Sequence, residues 1–166
     1  MPQPSVEQRA AQPYVGIPES ITMSTFDKVV QRLDQLAIWM AAHGVEPSGP
    51  AFVRYRVIDM DRELLVEAGV PVAEPAAGDG DVVAGVLPAG NYATVTHTGH
   101  PDELIGVTGD LLAWAERAGL DFDRWDDPRG DAWACRVESY LTDPDEEPDM
   151  TKWETTLFFR LADPQP

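Results

Sequence analysis

Two segments of the chain repeat one pattern, and this repeat constrains the fold more than any other feature. The segments are Leu36–Val45, LAIWMAAHGV, and Leu111–Leu120, LLAWAERAGL, which agree at three of ten positions. In each, a tryptophan stands five residues before a glycine, which is typical of an amphipathic helix ending in a left-handed glycine cap. Two copies of one unit pack about a pseudo-two-fold axis, so the repeat predicts a ligand site between the copies.

Composition predicts a soluble, acidic globular protein. The 166 residues suit one domain, and a net charge of -17 disfavours direct binding to the phosphates of nucleic acids but attracts cations. Cys135 is the single cysteine, which excludes an intrachain disulfide and suits a reducing compartment. Since the chain has no apolar run of membrane-spanning length and no signal-peptide core, we expect a cytoplasmic protein with no membrane partner.

The chain divides into a short leader and one domain of two repeats. Residues 1–11 are rich in Pro, Gln and charge and are predicted to be a disordered lead-in, followed by a single domain over residues 12–162. A Gly- and Pro-rich join near residues 74–81 separates repeat one, about 12–73, from repeat two, about 82–162.

Hydrophobic periodicity assigns similar elements to both repeats. Repeat one is predicted to contain a helix capped by Ser24 or Thr25, with strands at residues 13–21, 51–58 and 64–72. Repeat two is predicted to contain a helix at 101–118, with strands at 82–87, 91–98, 133–141 and 153–161. Because crossovers are few, the pattern favours an α+β fold, in which two strand-helix-strand-strand repeats form an antiparallel sheet sandwich, over a doubly wound sheet.

Candidate metal and cofactor motifs are weak. His97 and His100 lie in a strand-to-helix turn with no third histidine or cysteine nearby, so they are interpreted as turn residues. The acidic segment 143–154 resembles a calcium loop but has Pro148 where the sharp bend needs glycine. Gly78-Asp-Gly80 is followed by no helix that could receive a phosphate. We therefore expect neither a metal nor a cofactor.

The predicted strand over residues 133–141 carries the most informative polar residues. Alternation places Trp133 and Cys135 on one face and Arg136, Glu138 and Tyr140 on the other. If the second face lines a cleft, desolvation raises the pKa of the Glu138 carboxyl until a cation or proton arrives. The alternative is a surface face on which Arg136 pairs with Glu138, and the strand alone does not decide between them.

The remaining tryptophans divide between core and candidate site. Trp39 and Trp114 occupy equivalent positions beside the apolar stripes and are interpreted as helix-on-sheet core. Trp153 and Glu154 open the last predicted strand and point to opposite faces, so only one of them can line a given cleft.

Four segments together resemble a known family: GPAFVRY at 49–55, VLPAGNYATV at 86–95, ESYLTDP at 138–144 and WETTLFFRL at 153–161. They are similar to the GyrI-like small-molecule-binding family, which also forms the effector-binding domain of multidrug-sensing bacterial transcription regulators. The resemblance spans nearly the whole chain and implies two repeats about a pseudo-dyad, with a ligand cleft between them that has aromatic walls and an acidic residue.

By motif position, the resemblance makes Glu138 the acidic residue and Tyr55 and Tyr140 the walls of the cleft. The remaining candidate ligand-binding residues are Trp133, Trp153 and Glu154. Many relatives have Thr-Glu in the closing strand, where this chain has two threonines preceded by Glu154.

Three functions follow as hypotheses. The first is a stand-alone multidrug-binding protein that holds lipophilic, often cationic, aromatic compounds and acts in sensing or drug resistance. The second is a hydrolase similar to GyrI-like proteins that open the cyclopropane of DNA-alkylating natural products, with Glu138 as general base and Tyr55 or Tyr140 assisting. The third, based only on charge, is an acidic module that binds gyrase or another protein. No helix-turn-helix pattern precedes the module, so direct DNA binding is not expected.

Overall fold

The computed structural model of the chain describes residues 3–163 and contains two helices and ten strands. The helices are α1 (Asp27–Ala42) and α2 (Leu104–Arg117), the latter preceded by a 3-10 turn at Pro101–Glu103. The strands are β1 (Ser5–Arg9), β2 (Gln12–Ile21), β3 (Phe52–Ile58), β4 (Leu64–Pro71), β5 (Val83–Leu87), β6 (Gly90–Thr98), β7 (Arg124–Asp127), β8 (Gly130–Trp133), β9 (Arg136–Tyr140) and β10 (Glu154–Arg160). Within the described residues, no helix is both long and apolar enough to cross a bilayer.

All ten strands belong to one antiparallel sheet whose order is symmetric. The main path is β1-β6-β10-β9-β3-β4-β2-β5, and the β7–β8 hairpin attaches to β3. Read from the β9–β3 junction outward, each of the eight strands of the main path has a counterpart at the same position in the other half. The predicted α+β class is therefore confirmed, and the two repeats join edge to edge in one curled sheet.

Strand β1 corrects the expectation of a disordered lead-in. Ser5–Arg9 pairs with β6 along its whole length, while Met1 and Pro2 lie outside the described residues. In the same way β5 pairs with β2, so the first strand of each repeat completes the sheet of the other. The polar sequence SVEQR, which suggested disorder, suits a solvated edge strand, because charged side chains there discourage pairing with other chains.

The helix ends confirm the predicted glycine caps. Gly44 and Gly119 have φ values of 66° and 72°, in the left-handed region where a Cβ is unfavourable. The residue after each glycine donates its N–H to the carbonyl five positions back, from Val45 to Met40 in α1, which satisfies a carbonyl at the helix end. The equivalent bond closes α2.

The predicted cap at the start of α1 is wrong. The helix begins at Asp27, and no side chain caps its N-terminus. Thr25 Oγ1 instead accepts a hydrogen bond from the Thr22 N–H at 2.8 Å, and Ser24 Oγ contacts the Thr22 hydroxyl. Both hydroxyls are thus used in the turn that precedes the helix.

The two helices pack on the same face of the sheet. Helix α1 lies over β2 and β4, and α2 lies over β6, so the central strands β3 and β9 run between them. On the opposite face the curled sheet encloses a second core of Tyr14, Phe52, Leu87, Tyr92, Cys135, Val137 and Phe158.

The segment predicted as one strand over residues 133–141 is divided. Strand β8 ends at Trp133 and β9 begins at Arg136. The break places Cys135 in the helix-free core, whereas Trp133 packs with Phe159 in the core below α2. The expectation that Trp133 and Cys135 share a face is therefore wrong, because the backbone at the break bonds to Asp123 and Arg160 instead of continuing the ladder.

Candidate ligand-binding site

One row of side chains crosses the sheet on its helix-bearing face and contains a single charged residue. Directly paired residues of antiparallel strands point to the same face, which allows the row to be followed from strand to strand. Its members, from β2 to β6, are Ile17, Ala68, Val53, Glu138, Leu157 and Val95. A carboxylate therefore lies at the centre of a row that is otherwise apolar.

The register also places Glu138 on the pseudo-two-fold axis. Strands β3 and β9 pair Val53 with Glu138, and the pairs on either side are Phe52–Ser139 and Arg54–Val137. If Tyr55 and Tyr140 are equivalent, as the repeat indicates, Val53 and Glu138 are equivalent to each other. An axis that exchanges two directly paired residues passes between them, so Glu138 is at the point where the halves meet.

Two tyrosines bracket the Glu138 carboxylate. Tyr140 Oη donates a hydrogen bond to Glu138 Oε1 at 2.8 Å, and the Tyr55 hydroxyl interacts with the same carboxylate. Both rings pack against the core below α1, together with Phe26 and Leu33 of that helix region. We call Val53, Tyr55, Arg136, Glu138 and Tyr140 the central strip.

The electrostatics of the strip are dominated by the desolvated carboxyl of Glu138. Desolvation raises the pKa of Glu138, and the hydrogen bond from Tyr140, the charge of Arg136 and the hydrogen bond from Tyr55 oppose this only in part. Burial raises the pKa values of Tyr55 and Tyr140 well above 10.0, so both remain protonated donors at neutral pH. The carboxylate is thus oriented by two hydroxyls but is short of positive charge.

Arg136 belongs to the strip but does not form an ion pair with Glu138. Among the ion pairs of residues 3–163, defined by an N–O distance of at most 4.0 Å, none involves either residue. The guanidinium instead lies over aromatic rings, with its Cζ 4.6 Å from the centroid of Phe159 and 4.8 Å from that of Trp133. Burial lowers the pKa of Arg136 to about 10, which still leaves it charged at pH 7.

The other sequence candidates are placed differently. Trp133 is only 2% exposed and its Nε1 donates to Asp131, so it supports Arg136 from the core. Trp153 lies before β10 and donates from Nε1 to the Glu147 carbonyl. Glu154 is exposed and alternates with Thr155, which pairs with Tyr140, so Glu154 lies on the opposite face from Glu138.

The histidines serve the turn before α2. His100 Nδ1 accepts a hydrogen bond from the Asp102 N–H, as expected for a turn residue, whereas His97 lies in β6 with its Nε2 3.4 Å from Glu103 Oε1. Among residues 3–163, no three His, Cys, Asp or Glu side chains are grouped so that they could hold a metal.

A comparison of the sequence with protein-family models identifies the family. The GyrI-like small molecule binding domain matches residues 2–162. The chain belongs to this family. No curated protein sequence matches it.

Several solved structures have the same fold at low identity. The EcmrR C-terminal domain superimposes with a TM-score of 0.76 at 19% identity, covering 99% of each chain. SAV2435 bound to tetraphenylphosphonium superimposes with a TM-score of 0.67 at 12% identity, covering 96% of this chain and 94% of that one. A hydrolase from Listeria innocua superimposes with a TM-score of 0.61 at 16% identity, covering 96% and 92%. The chain spans 58% of the EcmrR chain in an EcmrR–DNA complex.

Proposed function

We propose that this GyrI-like domain binds lipophilic aromatic cations at the central strip, with Glu138 as the countercharge. The observation that carries the proposal is the position of Glu138 as the one charged member of an apolar row on the pseudo-dyad. The structure of SAV2435 with tetraphenylphosphonium, a lipophilic aromatic cation, supports the same ligand class for this fold.

The physical basis is desolvation combined with aromatic contact. A carboxylate whose pKa is raised by burial gains more from an approaching cation than one already surrounded by water. The rings of Tyr55 and Tyr140 can add cation–π contacts of about 0.5–2 kcal/mol each. Since these contacts depend on π faces and one charge, cations of different shape can use them.

The test is calorimetric titration of tetraphenylphosphonium into the wild-type protein and two matched variants. Glu138→Gln removes the central charge, and Glu154→Gln removes one equal charge from an exposed position on the opposite face. We expect Glu138→Gln to weaken binding about ten- to hundredfold, as for loss of a hydrogen-bonded charge. Glu154→Gln should stay within about twofold, because a solvated charge on the far face is screened. Equal affinities of the wild type and Glu138→Gln for tetraphenylphosphonium would contradict the proposal.

A second candidate function is hydrolysis, which the contact between Glu138 and the tyrosine hydroxyls favours. Ionised Glu138 would take a proton from water as the water oxygen bonds to a carbon of a strained cyclopropane. The electron pair of the broken carbon–carbon bond would pass to a conjugated carbonyl, which Tyr55 would protonate. Tyr55 would then regain a proton from Glu138, with which it shares a hydrogen bond, so that the net change is the addition of one water. Mass spectrometry of such a cyclopropane compound after incubation should then show the addition of one water. An unchanged mass would rule out hydrolysis of that compound and leave binding as the only proposed function.

We also propose a cytoplasmic location. Cys135 is the only cysteine in the sequence, and it is fully buried as a free thiol. A disulfide-free protein with a buried thiol suits a reducing compartment.

A further inference from the structure

The guanidinium of Arg136 has hydrogen-bond donors that the protein does not use. Its Nε is buried and has no hydrogen-bond partner, and no carboxylate forms an ion pair with it among residues 3–163. The Nε of the buried Arg54 also has no partner, but both Nη atoms of Arg54 donate hydrogen bonds, to Tyr14 and to the Ala134 carbonyl. Leaving donors of a half-buried guanidinium unpaired is costly unless another molecule supplies the acceptor.

Three aromatic rings hold this guanidinium in place. Its Cζ lies 4.6 Å from the ring centroid of Phe159, 4.8 Å from that of Trp133 and 5.9 Å from that of Tyr55. Ring faces restrain a guanidinium without accepting its in-plane N–H groups. The side chain is therefore positioned beside the central strip while its hydrogen-bonding capacity is kept free.

Arg136 and Glu138 also present opposite charges at a fixed spacing. They are two residues apart on one face of β9, so their backbone positions differ by about 7 Å along the strand. A ligand with only positive charge would meet attraction from Glu138 and repulsion from Arg136. A ligand that carries an anionic oxygen beside its cationic aromatic system would satisfy both residues.

We propose that the preferred ligands of the central strip are amphoteric aromatic compounds, whose cationic part contacts Glu138 and whose carboxylate or similar oxygen accepts hydrogen bonds from Arg136. This inference rests on the proposed function, since it assumes that Glu138 receives the cation. Arg136 then determines specificity within the class of aromatic cations.

The experiment uses two dyes that differ at one group. Rhodamine B carries a free carboxylate on a cationic aromatic system, and rhodamine B ethyl ester is the same dye with that carboxylate masked. Fluorescence anisotropy gives the affinity of each for the wild-type protein and for Arg136→Gln. We expect the wild type to prefer the free acid by about tenfold, the usual size of a charge-assisted hydrogen bond in fold-change. Arg136→Gln should abolish the preference, because it weakens binding of the free acid and leaves binding of the ester unchanged or tighter.

Matched variants separate the two proposals. Arg124→Gln removes a guanidinium that also lies over Trp133, at 5.2 Å, but is about half exposed and paired with Asp131, and it should leave the preference unchanged. Arg136→Lys keeps the charge without the planar fork and should give an intermediate preference, which covers the case in which Arg136→Gln does not fold.

The outcomes are distinguishable with Glu138→Gln included. In one outcome, Glu138→Gln weakens the binding of both dyes, but each Arg136 variant changes the affinities for the acid and for the ester by the same factor. The amphoteric preference is then wrong and the proposed function stands. If neither dye depends on Glu138, the proposed function fails and this inference fails with it.

Discussion

The central strands β3 and β9 pair about the pseudo-dyad, yet only β9 supplies charge to the central strip. Each strand brings a tyrosine, Tyr55 or Tyr140, but Val53 in β3 corresponds to Glu138 in β9. Extending the same correspondence, Arg136 matches Ala51, just before β3. The two repeats thus supply a symmetric pair of tyrosines, and only repeat two adds charged residues, Arg136 and Glu138.

The β7–β8 hairpin sharpens this contrast, because repeat one has no counterpart to it. It ends at Trp133, whose ring lies against Arg136 and Phe159. Helix ends and sheet order are shared by the two halves, whereas the hairpin and the charges of the strip belong to one. Scaffold and site can therefore be tested separately.

The largest effect is expected from the shared scaffold. Leu36 in α1 and Leu111 in α2 hold equivalent places and are both 0% exposed. Leu36→Ala and Leu111→Ala should each lower the free energy of unfolding by about 2–5 kcal/mol, from lost burial and the cavity left behind. Urea denaturation measures both. A large loss of unfolding free energy for one variant and almost none for the other would show that the two halves are not equivalent in their packing.

A smaller effect is expected from the paired tyrosines. The Tyr140 hydroxyl donates to Glu138 at 2.8 Å and opposes its raised pKa more than Tyr55 does. Removing a donor to the carboxylate by Tyr140→Phe should weaken binding of tetraphenylphosphonium about two- to tenfold, because the carboxylate loses a hydrogen bond that orients it and stabilises its charged form. Tyr55→Phe should have the weaker effect in the same titration. A larger effect of Tyr55→Phe would show that Tyr55, and not Tyr140, makes the stronger hydrogen bond to the Glu138 carboxylate.

The smallest effect concerns the pH dependence of stability. The folded-state pKa of Glu138 lies above its usual 4.5, so folding favours the protonated carboxyl. Its contribution to stability is complete below the unfolded pKa and is lost as the pH rises through the folded pKa. Wild type should therefore lose stability relative to Glu138→Gln as the pH increases above 4.5. Denaturation at a series of pH values checks this. A wild-type protein that gains stability relative to Glu138→Gln as the pH rises would contradict the prediction.

The sequence was a good guide to elements with a strong period and a poor one to an edge strand. The repeat with its glycine caps, the helices and the α+β class could be predicted because apolar spacing and positive φ leave clear signals. Ser5–Arg9 was missed because a polar edge strand resembles a disordered leader. Its counterpart in repeat two, Val83–Leu87, was predicted because valines mark it as a strand.

The candidate site was predictable only in part. Period-two alternation correctly places Arg136, Glu138 and Tyr140 on one face of β9. It could not show that Arg136 stacks on rings instead of pairing with Glu138, since this depends on Trp133 and the break in the strand that precedes Arg136. Sequence spacing contains no information about such long-range packing.

Cation binding at the central strip depends most directly on the protonation state of the Glu138 carboxyl. Carbon-13 NMR of the side-chain carboxyl of Glu138, assigned by its absence in Glu138→Gln, can follow its titration with and without saturating tetraphenylphosphonium. We predict a pKa above 4.5 in the free protein and a lower pKa in the complex, because a cation bound at the strip stabilises the charged form and the linkage is reciprocal. A pKa that is unchanged by the bound cation would contradict the role assigned to Glu138.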